Sequence, residues 1–159
     1  MKYRRFEELP VWKDAIELAL LVFDLTSQRE FKGYYSLKDQ IERAGVSISN
    51  NVAEGFERGT TQETLTFLYI SRGSSGETRS LTYLLERLKR FERLRAEVLD
   101  IRTRATSISR QLHGWINSLQ NSDIKGQRYL TDKSRRAEKV KRDREEFLKE
   151  LEQIRLDAA

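Results

Sequence analysis

The fold is decided by residues 40–58, which read QIERAGVSISNNVAEGFER. Four apolar side chains in this stretch recur at spacings of three and four, which is the period of one helix face. They are Ile41, Ala44, Ile48 and Val52. A second stripe of the same helix is polar and holds Arg43, Ser47, Asn50 or Asn51, Glu54 and Arg58. Because buried polar groups need hydrogen-bond partners, this stripe predicts a closely packed neighbouring helix that supplies them.

The helix before this stretch is predicted to start at Pro10, since proline suits the first turn of a helix, and to end near Thr26. Beside its main apolar face it carries a second one, formed by Trp12, Ile16, Ala19 and Phe23. This width predicts that the helix is deeply buried or meets a second subunit. The helix containing residues 40–58 is predicted to start with Ser36 as its N-cap.

Two further helices follow. Thr60 and Glu63 form a capping pattern that opens a third helix directly after the second, so these two helices must be antiparallel neighbours. A fourth apolar repeat runs from Val98 to Leu119. The sequence therefore predicts an all-α protein in which residues 1–120 fold as an up-down-up-down antiparallel four-helix bundle.

The third helix contains two glycines in its middle, Gly73 and Gly76. Each glycine inside a helix costs roughly 1 kcal/mol relative to alanine. Close packing of helix backbones, a ligand contact or a kink would each explain them, and we expect close packing. We also expect a structural polar network between helices two and three, in which Arg72 crosses to Glu54. Its members are predicted to be Asn50, Glu54, Arg72 and Glu77.

The end of the chain differs in composition from the bundle. Residues 121–131 contain few apolar side chains and are predicted to be a linker. Residues 132–159 are predicted to form an additional charged C-terminal helix, with five apolar residues on a and d positions of a heptad over residues 132–156. They are Ala137, Val140, Phe147, Leu151 and Ile154. So short a heptad repeat is marginal alone, and we expect this helix to dock on its own bundle, a second subunit or another protein.

The overall composition is mildly basic. The 159 residues include 30 Lys and Arg against 25 Asp and Glu, for a net charge of +5. This excess favours nucleic acid or another polyanion as a partner, although a solvated surface of mixed charge has the same composition. There is no cysteine, which excludes disulfides and thiolate metal sites. We expect a cytoplasmic protein, since no signal sequence or membrane-spanning apolar run is evident.

The patterns of common catalytic sites are missing from the sequence. Its single histidine, His113, has Arg110 three residues before it, where a di-iron bundle requires glutamate. A nucleophilic serine would need a positioned base, and no Gly-x-x-x-x-Gly-Lys phosphate loop occurs. We therefore expect no enzymatic activity, no cofactor and no bound metal.

The stretch quoted above, with Phe67-Leu68-Tyr69-Ile70-Ser71-Arg72-Gly73-Ser74 and Glu77, resembles the small bacterial four-helix bundle proteins encoded in intervening sequences of 23S rRNA genes. That family is similar to the accessory variability determinant proteins, which assist the reverse transcriptases of diversity-generating retroelements. The resemblance spans roughly residues 6–119 and implies a four-helix bundle. It also implies a homopentamer and, as one candidate partner, a reverse transcriptase.

These features favour a non-catalytic, homo-oligomeric scaffold that binds RNA or other nucleic acid through basic surfaces. The candidate nucleic-acid-binding residues are Arg43, Arg58, Lys89, Arg90, Arg135, Arg136, Lys139, Lys141 and Arg142. One alternative is an adaptor that recruits another protein through the C-terminal helix, and a second is a self-assembling structural protein without a ligand. Readout of specific nucleobases is not expected, because aromatic residues do not alternate with these basic residues along the chain.

Overall fold

The computed structural model describes residues 3–122, 140, 143, 144, 146–149 and 153. Its four long helices are α1 (Pro10–Thr26), α2 (Tyr35–Glu57), α3 (Thr61–Arg87) and α4 (Arg95–Gln120). Short 3-10 helices precede α1 and join α1 to α2 and α3 to α4, at Phe6–Glu8, Arg29–Phe31 and Lys89–Leu94. Consecutive helices pack against each other and α1 also packs against α4, which closes the ring. The predicted all-α antiparallel four-helix bundle is confirmed.

The ends of the helices follow from local chemistry. Pro10 is the first residue of α1, as predicted. At the start of α3, the Thr60 hydroxyl oxygen accepts a hydrogen bond from the Glu63 amide at 3.2 Å, and the hydroxyl donates to the Glu63 carboxylate at 2.7 Å. The predicted N-cap of α2 is wrong. Tyr34 occupies this position in place of Ser36, and its side chain makes no capping hydrogen bond.

The core is formed by apolar side chains from all four helices. The four α2 residues whose spacing predicted one buried face, Ile41, Ala44, Ile48 and Val52, are all buried. The bulkiest fully buried side chains also include aromatic rings from outside the long helices. Phe31 and Phe91 meet edge to face with ring centroids 4.7 Å apart, and they close the bundle at the end where the two 3-10 connections lie.

The backbones of α2 and α3 approach each other closely at Gly55. A Cβ atom added there would lie 2.9 Å from the Phe67 Cβ and 3.3 Å from the Thr64 carbonyl oxygen. The first of these distances is too short for real atoms, so only glycine fits this position without a shift of the neighbouring helix. The closely packed neighbour that the sequence predicts for α2 is therefore present at Gly55.

The glycines of α3 have a different environment. A Cβ added at Gly73 or Gly76 would meet no atom within 4 Å, and α3 is a single continuous helix through both positions. The expected close packing of backbones at these two glycines is therefore wrong. Both glycines instead leave open space on the outer side of α3.

Side chains of α3 form hydrogen bonds with α2 along its polar stripe. These side chains are serines and not charged residues. The buried Ser71 hydroxyl donates to the Ile48 carbonyl oxygen at 2.8 Å, and the hydroxyls of Ser47 and Ser74 are 2.8 Å apart. The Asn51 amide donates to the Ser47 carbonyl oxygen at 2.7 Å. We call this set of contacts, together with the Gly55 approach, the α2–α3 seam.

The predicted polar network does not form as proposed. Glu54 pairs with Arg58, one helical turn away on the same helix, and not with Arg72. Asn50, Glu54 and Glu77 are exposed, whereas a network holding the two helices together would be shielded from water. A carboxylate with an arginine one turn away needs no partner from the next helix.

The chain divides into two units, of which the first, Met1–Gly126, holds the four helices. In the second unit, the described residues are helical and exposed, and they include Val140, Phe147 and Leu148. Most of the predicted linker 121–131 and of the predicted helix 132–156 falls outside the described residues. None of the described helices combines the length and apolar character that crossing a bilayer requires.

Candidate nucleic-acid interface

Two of the predicted nucleic-acid-binding residues are neutralised by their own helix. Arg43 pairs with Asp39 at 3.2 Å, and Arg58 pairs with Glu54. The Arg58 guanidinium also lies over the Phe67 ring, 4.7 Å from its centroid. Since each of these charges already faces a carboxylate one turn away, a phosphate would have to compete for it.

Arg90 contacts the backbone of the connection between α1 and α2. Its guanidinium donates hydrogen bonds to the carbonyl oxygens of Arg29, Glu30 and Lys32 at 2.5–3.3 Å, and it lies 5.7 Å from the centroid of the Tyr34 ring. Arg90 therefore holds the connection between α1 and α2 and is removed from the set of free cations.

Lys89 stays available. Its side chain is exposed and forms no ion pair within the part of the chain that the structure describes. The remaining candidates, Arg135, Arg136, Lys139, Lys141 and Arg142, lie outside the described residues. The predicted set is thus not brought together into one surface by the described part of the chain.

A different group of cations lies where α3 borders α4. On α3, the residues Tyr69, Arg72, Gly76, Arg79 and Tyr83 follow one another at spacings of three and four, which places them on one stripe of the helix. The tyrosines are 45% and 51% exposed and both arginines are half-buried. Aromatic and basic side chains thus alternate along this stripe.

Contacts from α4 fix the position of this stripe at both ends. At one end, the Gln120 side-chain amide donates to the Tyr69 hydroxyl at 2.9 Å. At the other end, the Arg102 guanidinium lies 3.9 Å from the centroid of the Tyr83 ring and donates to Glu86 at 2.7 Å. The stripe therefore runs along the border between the two helices, and we call it, with the facing residues of α4, the α3–α4 edge.

Two more polar residues of α4, Arg110 and His113, are exposed and lie along the helix between Arg102 and Gln120. His113 is eleven residues after Arg102 and seven before Gln120, which places it on the same face of α4 as both, and Arg110 lies one turn earlier and further round toward solvent. His113 lies 3.3 Å from the Asn117 side chain, measured from Nε2 of the ring to the amide nitrogen.

The α3–α4 edge carries positive charge that its surroundings do not compensate. Glu86 is engaged by Arg102, and Arg72, Arg79 and Arg110 form no ion pair with any residue that the structure describes. Arginine suits phosphate because its planar guanidinium offers a fork of donors. The edge can therefore attract a polyanion along the length of α3.

A second surface lies where α1 borders α2. Leu20 and Phe23 are 54% and 46% exposed, and Trp12 and Ile16 are half-buried. Beside Phe23 is an open groove of about 430 Å³ whose other walls are polar side chains of α2 and Val46. We call this surface the α1–α2 face. The bundle leaves part of the wide apolar stripe that the sequence shows on α1 uncovered.

The described residues hold no group of three or more His, Cys, Asp or Glu side chains that could bind a metal ion. The hydroxyl groups of Ser71, Ser75 and Thr78 are buried and donate to backbone carbonyl oxygens. These serine and threonine side chains are thus committed to helix packing, and we assign no chemistry to them.

Sequence reasoning missed the α3–α4 edge. Arg72 was expected to face α2, but in the structure its stripe borders α4. The spacing of Arg72 and Arg79, seven residues apart and each near a tyrosine, was a usable signal. The two glycines between these arginines, Gly73 and Gly76, instead indicate backbone packing.

Comparison with known proteins agrees with this architecture. A crystal structure of a protein from Bacteroides thetaiotaomicron, described as of unknown function and from the S23 ribosomal protein family, has a TM-score of 0.59 and 23% sequence identity. The match covers 67% of this chain and 97% of that chain, and at this identity it concerns the fold alone. No curated protein matches the sequence. The model of the family described as 23S rRNA-intervening sequence protein matches residues 7–114, and the chain therefore belongs to that family.

Proposed function

We propose that this chain is a non-catalytic, homo-oligomeric helical scaffold that binds nucleic acid, with RNA as its first candidate ligand. The observation that carries the proposal is the set of arginines on the α3–α4 edge, Arg72, Arg79 and Arg110, which have no carboxylate partner among the described residues. Phosphates would replace the counterions of these side chains, and affinity would fall as salt concentration rises. RNA is the ligand to test first, because positively charged surfaces bind the phosphates of a nucleic acid.

The binding part of the proposal is tested by fluorescence anisotropy of the purified full chain with a labelled RNA oligonucleotide over a series of salt concentrations. We expect saturable binding whose affinity decreases steadily with the logarithm of the salt concentration. Absence of binding even at low salt would overturn the proposal. Cleavage of the RNA during the titration, followed on a denaturing gel, would contradict the non-catalytic part of it.

Self-association is supported by the α1–α2 face. Exposed Leu20 and Phe23 form an apolar surface that a second copy would cover. A pentamer is the form that the family resemblance suggests. Light scattering should show an oligomer for the unmodified protein and a smaller species for the variant L20E/F23E. The matched control is Leu99→Glu, which changes another exposed leucine, on α4, and should leave the mass unchanged.

An adaptor that recruits another protein is the second candidate function. It is favoured by the exposed apolar side chains Val140, Phe147 and Leu148 in the C-terminal unit. A reverse transcriptase is the partner that the family resemblance suggests. Co-purification of the full chain with such an enzyme, compared with the variant F147E/L148E, tests this function. Loss of the enzyme with RNA affinity unchanged would favour the adaptor, and RNA-dependent co-purification that the variant retains would favour the scaffold.

A further inference from the structure

We propose that the α3–α4 edge binds a single strand of nucleic acid, with bases stacked on Tyr69 and Tyr83 and phosphates held by Arg72, Arg79 and Arg110. This inference rests on the proposed function and specifies both the site and the form of the ligand. Four observations on the edge support it, and each concerns side chains that the structure describes.

The first observation is the alternation of aromatic and basic side chains. Surfaces that bind single strands combine a positively charged track for the backbone with aromatic rings on which bases stack. On α3, Tyr69 is followed after three residues by Arg72, and Arg79 is followed after four by Tyr83. A base-paired strand offers no free base faces along its length, so the two rings would add nothing to the binding of a duplex.

The second observation is the space along the stripe. Tyr69 and Tyr83 are fourteen residues apart, which corresponds to about 21 Å along an α-helix. Gly76 lies midway between them, and a Cβ added at this position would meet no atom within 4 Å. The centre of the stripe therefore carries no side chain, and a strand that passes between the two rings can approach the helix backbone there, with Arg72 on one side of the gap and Arg79 on the other.

The third observation is that both rings are held in place by α4. The Tyr69 hydroxyl accepts a hydrogen bond from Gln120, and Arg102 covers one side of the Tyr83 ring. Arg102 is itself fixed by Glu86 and by the Thr82 hydroxyl, to which it donates at 2.7 and 3.2 Å. About half of each tyrosine stays exposed. Aromatic side chains held in this way lose little conformational entropy when a base stacks on them.

The fourth observation is the contrast in charge with three other arginines of the bundle. Arg43 and Arg58 face carboxylates on α2, and Arg104 faces Asp100 on α4. On the edge, Arg72, Arg79 and Arg110 have no such partner in the described part of the chain. Unpaired arginines next to exposed aromatic rings fit a strand with both phosphates and free bases.

The test compares a labelled single-stranded oligouridylate with a blunt RNA duplex of the same length, using fluorescence anisotropy and the full chain. The unmodified protein should bind the single strand more tightly. Tyr69→Leu and Tyr83→Leu should each weaken single-strand binding by about 5- to 150-fold, the range measured when one stacking ring is removed. Tyr83→Phe keeps the ring and should bind as the unmodified protein does.

The arginines are tested through the salt dependence. Replacing Arg72, Arg79 and Arg110 together by glutamine should reduce the slope of log affinity against log salt by about 0.7 for each phosphate that is no longer neutralised, or about 2 in all. The matched control replaces Arg4, Lys13 and Lys32 by glutamine, which removes the same charge from exposed positions elsewhere. It should leave the slope nearly unchanged. Circular dichroism of each variant shows that the bundle has folded.

The possible failures are distinguishable. If the unmodified protein binds RNA with a salt dependence but neither the tyrosine nor the arginine variants differ from it, the edge is not the site and the proposed function stands. If no RNA binds at all, the proposed function itself fails. Preference for the duplex with silent Tyr→Leu variants, or equal competition by polyglutamate, would overturn the single-stranded ligand.

Discussion

Helix α3 borders α2 along one edge and α4 along the other, and its polar side chains make different contacts along the two. Along α2, hydroxyl groups meet backbone carbonyls and other hydroxyls, as Ser71 does with Ile48, and the helices approach to the limit set by Gly55. Along α4 the interior contact is similar, since the Ser75 hydroxyl donates to the Ala105 carbonyl oxygen at 2.6 Å. The outer side of that second edge is different, because arginines and tyrosines there face solvent.

The contrast is between polar side chains of α3 that pair with each other and polar side chains of the same helix that have no described partner. On the α2–α3 seam the polar groups satisfy one another, so their roles end with the packing of the bundle. On the α3–α4 edge several cations have no described carboxylate partner, which adds nothing to folding and repels like charge. The ligand that we propose would give these cations a role.

The contrast is tested most strongly at Gly55. Gly55→Ala should lower the free energy of unfolding by about 2 kcal/mol, because the added methyl group would overlap Phe67 and crowd the Thr64 carbonyl. Urea denaturation at equilibrium measures this change. RNA affinity of the folded variant should be unaffected. A variant as stable as the unmodified protein would show that the seam is not tightly packed.

The two interior serines should be equivalent. Ser71→Ala and Ser75→Ala each remove one buried hydroxyl that donates to a carbonyl of a neighbouring helix, so each should reduce the free energy of unfolding by about 1 kcal/mol. Ser80→Ala, on the exposed side of α3, is the control and should change it by less than about 0.5 kcal/mol. A large difference between the two losses of stability would mean that the buried contacts of α3 with α2 and with α4 are not equivalent.

A glycine on the open side of α3 should behave in the opposite sense to Gly55. Gly73→Ala adds a methyl group that meets no atom within 4 Å, and it replaces a flexible residue inside a helix. We expect the free energy of unfolding to rise by about 0.5–1 kcal/mol. Thermal unfolding followed by circular dichroism measures the change. Destabilisation would indicate that a second subunit packs on this position.

The smallest effect on stability is expected on the α3–α4 edge itself. Arg79→Gln should change the free energy of unfolding by less than about 0.5 kcal/mol, because its guanidinium has no ion-pair partner among the described residues. Measured in the same urea series, it should match Arg72→Gln. A loss well above about 1 kcal/mol in either variant would assign these arginines to folding and weaken the case for a ligand.

Much of the fold could be predicted from spacing and caps alone. Pro10 begins α1 and Thr60 caps α3 as expected, since both signals act within one turn of the chain. The apolar positions of α2 are all buried for the same reason: their period is a property of the helix itself. The start of α2 was missed because the turn at Gly33, with φ of 90°, leads into the helix ahead of Ser36.

The candidate site was harder to predict, because it depends on how far each helix is rotated about its own axis. Arg72 was assigned to Glu54 on the assumption that it faces α2. Its stripe borders α4, and Glu54 has a nearer partner in Arg58. A rotation of α3 about its axis by one side-chain position decides whether Arg72 faces α2 or α4. The apolar stripe of a helix is more than about 100° wide, so its pattern in the sequence does not determine the rotation this closely. The hydrogen bonds of Arg90 could likewise not be predicted, because their acceptors are backbone carbonyl oxygens, which every residue has.

Arg90 also has a consequence for the order in which the bundle assembles. Its guanidinium reaches carbonyl oxygens that lie 58 to 61 residues earlier in the chain, so the contact requires the first helical hairpin to have met the second. Contacts between residues so far apart close large loops and tend to form late. The hydrogen bonds of Arg90 would then stabilise the native state but not the folding transition state. They would slow unfolding and leave the folding rate almost unchanged.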